Sequence, residues 1–311
     1  MSAGFIPVNP ADDSGQANSR WWSENADDYL TEYGSVLGEA DFIWGPEGLR
    51  EHDVELLGSP SSLRGASILE IGCGAAQCSR YLATQGLNVT ACDLAPGMVE
   101  AARVLNAKHD VEFPIDVADA RALPYETGAF DVVFTSFGAI DFIDDLADLH
   151  REVRRAVRLG GRWVFSCSHP VKWIFADDPE SFRVEHSYFD RTPYIERFED
   201  GELEYANFHH TLADHINSLS ECDRGMRGAG VARWPRGRVG RVGADPISAR
   251  ARHDHHFRPR GLATLRRAPT PHLSTPTITH RTTATIRHLT TATTLHSGQL
   301  PSKRGRKFLP R

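Results

Sequence analysis

The stretch Ile68-Leu69-Glu70-Ile71-Gly72-Cys73-Gly74-Ala75-Ala76 decides the fold. An apolar, β-type run enters a glycine turn and leaves it in a helix-like pattern, residues 77–84, that stops at Gly86. In a parallel α/β sheet such a turn presents backbone N–H groups and a helix N-terminus to a nucleotide-like ligand. A second apolar run, Asn88-Val89-Thr90-Ala91-Cys92-Asp93, ends on a carboxylate. An acid at that strand tip accepts hydrogen bonds from ribose hydroxyls. The glycine turn and Asp93 together point to an adenosine-containing cofactor.

Outward from this stretch the alternation continues. A helix opens at Pro96, the favoured first helical position, and runs to Asn106. Strand three is expected over residues 113–117, at a sheet edge because Pro114 removes a ladder donor. Strand four covers 130–136, a helix covers 143–158, and Gly160-Gly161 ends that helix before strand five at 162–168. Leu146, Leu149, Val153 and Val157 form one apolar stripe on the helix. Five strands alternating with helices predict a doubly wound, Rossmann-like parallel α/β sheet. Residues 169–219 break the pattern and read as an insertion over the C-terminal strand ends, where such sheets bind ligands.

Upstream, residues 1–20 are rich in Pro, Asp, Ser and Gly and read as a flexible arm. Residues 19–34 read as one helix with Trp22, Tyr29 and Tyr33 on one face, packed on the sheet or covering the cofactor. Downstream, the composition inverts. The net charge of the 311-residue chain is −6, but from Cys222 onward 19 Lys and Arg stand against three Asp and no Glu. Residues 1–221 carry the remaining 16 basic and 38 acidic groups. The expected organisation is therefore an arm at 1–20, a ligand-binding domain at 21–221, and a disordered, atypical, basic low-complexity tail at 222–311. The charge inversion, the loss of Glu and the loss of periodicity are what a shifted reading frame would produce. The tail also admits a nucleic-acid-binding reading, but no aromatic-interleaved RNA motif accompanies it.

The five cysteines form no CxxC pair and read as small buried hydrophobes in a reducing cytoplasm. No apolar run approaches the roughly 18 residues that span a bilayer. The start, Met1-Ser2-Ala3-Gly4-Phe5, lacks a basic segment before an apolar one and is not read as a signal peptide. We expect a cytoplasmic protein with no membrane partner.

An NAD(P) oxidoreductase is one reading of Gly72-x-Gly74, but a dinucleotide fingerprint wants glycine where this chain has Gln77. The chain resembles instead the class I S-adenosylmethionine-dependent methyltransferases, in the type 11 group similar to ubiquinone/menaquinone C-methyltransferases. The resemblance covers about residues 20–219 and rests on separated motifs. They are residues 68–83, Asp93-Leu94-Ala95-Pro96-Gly97-Met98, Asp119-Ala120-Arg121-Ala122-Leu123-Pro124 followed by Phe130-Asp131-Val132-Val133, and Gly160-Gly161-Arg162. It implies S-adenosyl-L-methionine as cofactor and a small-molecule methyl acceptor. It implies that the turn Gly72-Cys73-Gly74 meets the methionine and ribose portions, and that Glu70 reaches the methionine ammonium. Asp93 would bind the ribose diol, and Leu94 and Met98 would line the adenine. Asp119 would accept the adenine amino group, with the Ala120 N–H donating to the ring. Ser136 and Phe137, with Gly138, would border the sulfonium. Ala76 stands where the family often has glycine, which is tolerable at negative φ and would narrow the pocket otherwise. Relatives of this architecture add two more strands after the fifth, and the segment after Leu219 offers none.

Methyl transfer needs a base only where the acceptor must lose a proton. His169 is the first candidate, because it follows a strand at the ligand-binding end; Asp141, Tyr188, Tyr194, His209 and His210 are the others. His209, His210 and His215 lack a cysteine or carboxylate set to complete a metal site, so no metal is expected. The aromatics Trp173, Phe175, Phe182, Tyr188 and Tyr194 point to an apolar or aromatic acceptor.

Overall fold

Residues 2–8, 13–46, 48–175 and 182–222 are described by a computed structural model. The N-terminus departs from the arm expected there. Strand β1 (Ser2–Phe5) pairs antiparallel with residues 194–197, and helix α1 (Ser14–Glu24) begins well before residue 20. The edge of a distant hairpin supplies β1 with ladder partners that local composition does not reveal. Asp13 caps α1, its side chain accepting the Gln16 N–H at 2.9 Å. The single helix expected over 19–34 is two, α1 and α2 (Ala26–Leu37), broken at Asn25. The Asn25 side chain donates to the Trp21 carbonyl at 2.7 Å, competing with the helical ladder. A one-turn helix, α3 (Glu51–Val54), follows.

The main sheet is built from β2 (Ser67–Ile71), β3 (Asn88–Asp93), β4 (Ile115–Val117), β5 (Phe130–Thr135) and β6 (Val157–Phe165). Helices α4 (Gln77–Thr84), α5 (Pro96–Lys108) and α6 (Leu146–Ala156) connect them. The strand order is β4-β3-β2-β5-β6 and every pairing is parallel. The order reverses between β2 and β5, and ligands of such sheets bind at the crevice this creates. Pro114 lies just before β4, which is an edge strand as its proline requires.

Strand residues alternate between two cores. Leu69, Ile71, Val133, Trp163 and Phe165 face Leu149 and Val153 of α6, while Ile68, Val132, Phe134 and Val164 face Phe42, Trp44 and Leu82. Both faces are therefore covered, as a doubly wound sheet demands.

Asp145 caps α6, accepting the Ala147 N–H at 2.7 Å. The glycine pair does not end this helix. It stops at Ala156, and Gly160 and Gly161 lie inside β6, where the register to β5 shifts between Phe130 and Val132. A Cβ at Gly161 would sit 2.8 Å from the Asp131 carbonyl oxygen, so the irregular pairing needs glycine there.

After β6, a 3-10 turn (Pro170–Ile174) leads to β7 (Tyr194–Arg197), β8 (Leu203–Asn207) and α7 (Leu212–Cys222). β7 and β8 form with β1 a small antiparallel sheet in the order β1-β7-β8. This is the insertion expected after the fifth strand of the main sheet. Helix α7 packs on α6, and Leu219 joins the core of that face. Among the described residues β6 pairs only with β5. The tail from residue 223, with its frameshift and nucleic-acid readings, lies outside the described residues. No helix among them is long and apolar enough to cross a membrane.

Candidate functional site

The glycine turn sits at the C-terminal end of β2, beside the strand-order reversal. Gly72 has φ +64°, and a Cβ there would lie 2.3 Å from the Ala139 Cβ. Gly74 has φ +53°, but a Cβ there would meet no atom within 4 Å. Gly72 thus lets two loops touch, whereas Gly74 borders open space. The Gly74 N–H donates to Asp93 Oδ2 at 2.8 Å and the Ala95 N–H to Oδ1 at 2.9 Å. Burial raises the Asp93 carboxyl, and these backbone donors partly offset it. Two adjacent loops are thereby locked around one carboxylate.

Ala76 takes φ +58°, the left-handed region, where a non-glycine residue is strained by about 1–2 kcal/mol. Its methyl is buried with Cys73, Ala91, Val99 and Ala102, between sheet and α5, and does not narrow the crevice.

The side chains of two residues expected at the ligand are engaged away from the turn's open side. Glu70 is buried, and its Oε2 accepts the Ser79 N–H at 2.9 Å and the Ser79 hydroxyl at 2.5 Å. It ties β2 to the first turn of α4, and burial pushes its carboxyl up to about 7. Cys73 donates its N–H to the Cys92 carbonyl at 3.0 Å, and its side chain packs in the α5-side core. Burial likewise pushes that thiol well up.

The other expected residues gather on neighbouring loops. Leu94 is half-buried, and its carbonyl accepts the Ser19 hydroxyl at 2.8 Å. Met98 packs with Ala26, Ala95, Trp22 and Tyr29. The Ala118 N–H donates to the Asp93 carbonyl at 2.9 Å, which brings the loop of Asp119 and Ala120 beside Asp93. Asp119 accepts the Arg121 N–H at 2.8 Å and pairs with its guanidinium at 2.8 Å. Burial opposes ionisation there, but the Arg121 hydrogen bonds outweigh it and hold the carboxyl low. Beyond β5, the Ser136 hydroxyl donates to the Ile43 carbonyl at 2.5 Å, and the Phe137 N–H donates to Ser166 Oγ at 3.0 Å. Phe137 itself has φ +20°.

Sequence reasoning left open what the N-terminal helices do. The structure lays α1 across the loops after β3 and β4. Ser23 Oγ accepts the Gly97 N–H at 3.2 Å, and a Cβ at Gly97 would lie 2.4 Å from the Ser23 carbonyl oxygen. At its other end, a Cβ at Gly15 would lie 2.7 Å from Arg121 Nη2. The helix face then extends into α2 through ring contacts of Trp22 with Tyr29 (5.4 Å) and Tyr29 with Tyr33 (5.2 Å). The Tyr29 hydroxyl is raised by burial and, more weakly, by nearby charges that include Asp93. No sequence signal pairs Ser19 and Ser23 with the loop after β3.

His169 departs from the role expected for it. Its Nδ1 accepts the Val171 N–H at 3.1 Å, capping the 3-10 turn. The neutral ring therefore carries its proton on Nε2 and presents no free lone pair to an acceptor. Asp141, on the 3-10 turn Ile140–Phe142, is buried and its carboxyl is raised by desolvation, against the pull of Lys172, Ser168, His210 and His209. The three histidines near α7 do not converge. His209 Nε2 meets the Tyr188 carbonyl at 2.8 Å, His210 Nε2 the Ile143 carbonyl at 2.7 Å, and His215 Nε2 the Cys167 sulfur at 3.9 Å.

The donor set suits S-adenosylmethionine. A half-buried carboxylate with lone pairs to spare faces the turn, as a ribose diol requires, and the position of the Gly74 Cβ is open. Residues 69–165 match a family model described as "Methyltransferase domain". A malonyl-[acyl-carrier protein] O-methyltransferase of Enterobacter lignolyticus is 29% identical over 192 residues, 58% of this chain and 70% of that protein. A ubiquinone biosynthesis O-methyltransferase of Xanthomonas oryzae pv. oryzae is 33% identical over 115 residues, 37% of this chain. The chain spans about half the length of that second relative (48%). A solved S-adenosylmethionine-dependent methyltransferase from Mesorhizobium loti is 24% identical, over 54% of this chain and 82% of that one, with a TM-score of 0.42. Over residues 69–165, the segment that carries the glycine turn, Asp93 and Asp119, this chain is similar to methyltransferase domains.

Proposed function

We propose that this protein methylates an oxygen of a small organic acceptor, working in the cytoplasm. The observation that carries the reading is the Gly74–Asp93 pair: a carboxylate fixed by the turn's own N–H, beside a glycine whose Cβ direction is open. Both relatives described above are named O-methyltransferases, which favours oxygen over carbon or nitrogen.

In this reading Asp93 accepts the ribose hydroxyls and the turn 72–74 approaches the methionine portion. Leu94 and Met98 border the adenine. Asp119 accepts its amino group, and the Ala120 N–H donates to the ring. Ser136 and Phe137 border the methyl. The cofactor supplies a methyl on a sulfonium, which leaves as a neutral thioether. The protein's task is then to hold the acceptor oxygen in line at about 3–3.5 Å and to exclude water. Trp22, Tyr29 and Phe142, in mutual contact through Trp22, form an apolar roof suited to that exclusion. Glu70 and the Cys73 side chain act behind the turn, keeping its shape, while the Cys73 backbone belongs to the turn itself.

The test is incubation of the full chain with methyl-labelled cofactor and separate pools of phenols, hydroquinones and carboxylic acids. Label in an O-methyl product supports the reading. Label on nitrogen or carbon only, or tight binding of NAD(H) in place of S-adenosylhomocysteine, overturns it.

A further inference from the structure

The loop after β4 carries Arg121, two residues beyond Asp119. Its side chain ends where this loop, the loop before α6 and the first turn of α1 meet. The guanidinium takes both oxygens of Asp119. Nε is shared between Oδ1 at 3.1 Å and Oδ2 at 3.2 Å, and Nη2 donates to Oδ2 at 2.8 Å. The Arg121 backbone N–H donates to Oδ1 at 2.8 Å. Nη1 reaches the other way, to Asp144 Oδ1 at 2.9 Å. Nη2 lies against α1, where a Cβ at Gly15 would come within 2.7 Å of it. Asp144 and α1 thus fix the guanidinium from two sides, and the guanidinium fixes the plane of the Asp119 carboxylate.

The donor count decides what else this carboxylate takes. A carboxylate offers about four acceptor positions, shared equally by its oxygens. Among the described residues Arg121 supplies every donor to Asp119, as three N–H groups. With Nε settled on the nearer Oδ1, one position is left, on Oδ2. That position suits a ligand N–H; a carbonyl oxygen placed there would meet a full negative charge. Burial opposes ionisation of Asp119, but the Arg121 hydrogen bonds keep it ionised, so it accepts and does not donate. The pair is not sealed from a ligand: the Arg121 and Asp119 side chains are 28% and 32% exposed.

We propose that Arg121 makes the site select an aminopurine over its oxo counterpart, by holding Asp119 as a fixed acceptor with one position left for the base. This rests on the methyltransferase reading above, in which Asp119 meets the adenine amino group. Arg121 is a positioning residue: it acts through Asp119 and does not touch the base. An adenine N–H fills the position on Oδ2, whereas the oxygen of hypoxanthine opposes it. Without the fork, only the backbone N–H of residue 121 holds the carboxylate. It then turns away from an oxo group, or takes a proton and donates to it, and it meets the amino group in no fixed geometry. The preference relaxes from both directions.

The test is calorimetric titration of the full chain with S-adenosylhomocysteine and with S-inosylhomocysteine, its oxo counterpart. We expect the wild-type protein to prefer the amino form by about tenfold or more, the scale of one hydrogen bond to a charged group. Arg121→Met keeps an apolar stem and removes the fork. Its preference should fall to about threefold or less, with the amino form losing affinity. A merely structural role for Arg121 would weaken both ligands by the same factor; a preference that survives Arg121→Met overturns the proposal. So does a wild type that binds the oxo form equally well or better. So does an Arg121→Met that binds S-adenosylhomocysteine more tightly, which would make Arg121 a competitor of the base. If neither ligand binds the folded wild type, the methyltransferase reading falls, and this inference with it. Should Arg121→Met not fold, Gly15→Ala decides. Alanine suits a helix, and its Cβ meets the Arg121 guanidinium at 2.7 Å and Asp13 Oδ1 at 3.3 Å. Displacing the guanidinium should lower the preference there too, and an unchanged preference overturns the proposal.

Discussion

Gly72 and Gly74 share a left-handed backbone but differ in what surrounds them, and that difference is measurable. Alanine at Gly72 would carry φ +64° and place its Cβ 2.3 Å from the Ala139 Cβ. The backbone term is about 1–2 kcal/mol and the overlap adds about 1–3 kcal/mol, so Gly72→Ala should cost about 2–5 kcal/mol. Against a net stability of about 5–15 kcal/mol that is a large share. At a urea slope of about 2 kcal/mol/M the midpoint falls by about 1–2.5 M. Alanine at Gly74 has φ +53° and no atom within 4 Å of its Cβ, so only the backbone term of about 1–2 kcal/mol applies. Its methyl instead occupies space assigned to the ligand, and S-adenosylhomocysteine affinity should drop about tenfold or more, about 1.4 kcal/mol. Urea unfolding and calorimetry on both variants separate the two effects. Equal stability losses, or wild-type affinity in Gly74→Ala, would refute the assignment of one glycine to packing and the other to the ligand.

Glu70 makes stability depend on pH. Its folded-state carboxyl lies at about 7 against 4.5, so its contribution is full below about pH 4.5 and is lost as pH rises through about 7. Glu70→Gln should therefore gain on the wild type between about pH 5 and about pH 8, by at most about 3 kcal/mol; a difference flat in pH across urea titrations would count against a buried, proton-holding carboxyl. Arg80 is fully buried and donates to Asn106 Oδ1 (2.8 Å), the Ala75 carbonyl (2.7 Å), the Ala102 carbonyl (3.0 Å) and the Glu39 carbonyl. Arg80→Met strands those acceptors and should cost about 3 kcal/mol or more in thermal or urea unfolding. Tyr29→Phe should leave the melting temperature nearly unchanged and weaken S-adenosylhomocysteine by about fivefold, the worth of one hydrogen bond of about 1 kcal/mol; unchanged affinity in calorimetry would remove Tyr29 from the site.

The sheet was legible because its signals are local. Residues 67–71 and 88–93 are short apolar runs bounded by glycine, and their parallel pairing follows from the helix between them. Pro114 located the edge for the same reason. Misreadings arose where the deciding contact is remote. Nothing in Ser2-Ala3-Gly4-Phe5 announces a strand until the 194–197 edge is beside it. Gly160-Gly161 carries the composition of a helix stop, yet the Asp131 carbonyl sets its use inside β6. At the site, the position of Asp93 beside the glycine turn was readable from its place at a strand tip. The side-chain directions of Glu70 and Cys73 were not, because alternation decides which side chains face away from the crevice, and Ser79 and the α5 core then claim them. His169 lost its free lone pair to a capping bond two residues away.

One measurement bears most directly on the site: calorimetric titration of the folded full chain with S-adenosylhomocysteine, against NADH as a control. A single site of micromolar affinity, about −8 kcal/mol, and none for NADH is the expected result. A folded protein that binds NADH, or binds neither ligand, would contradict the assignment of the Gly74–Asp93 crevice to S-adenosylmethionine.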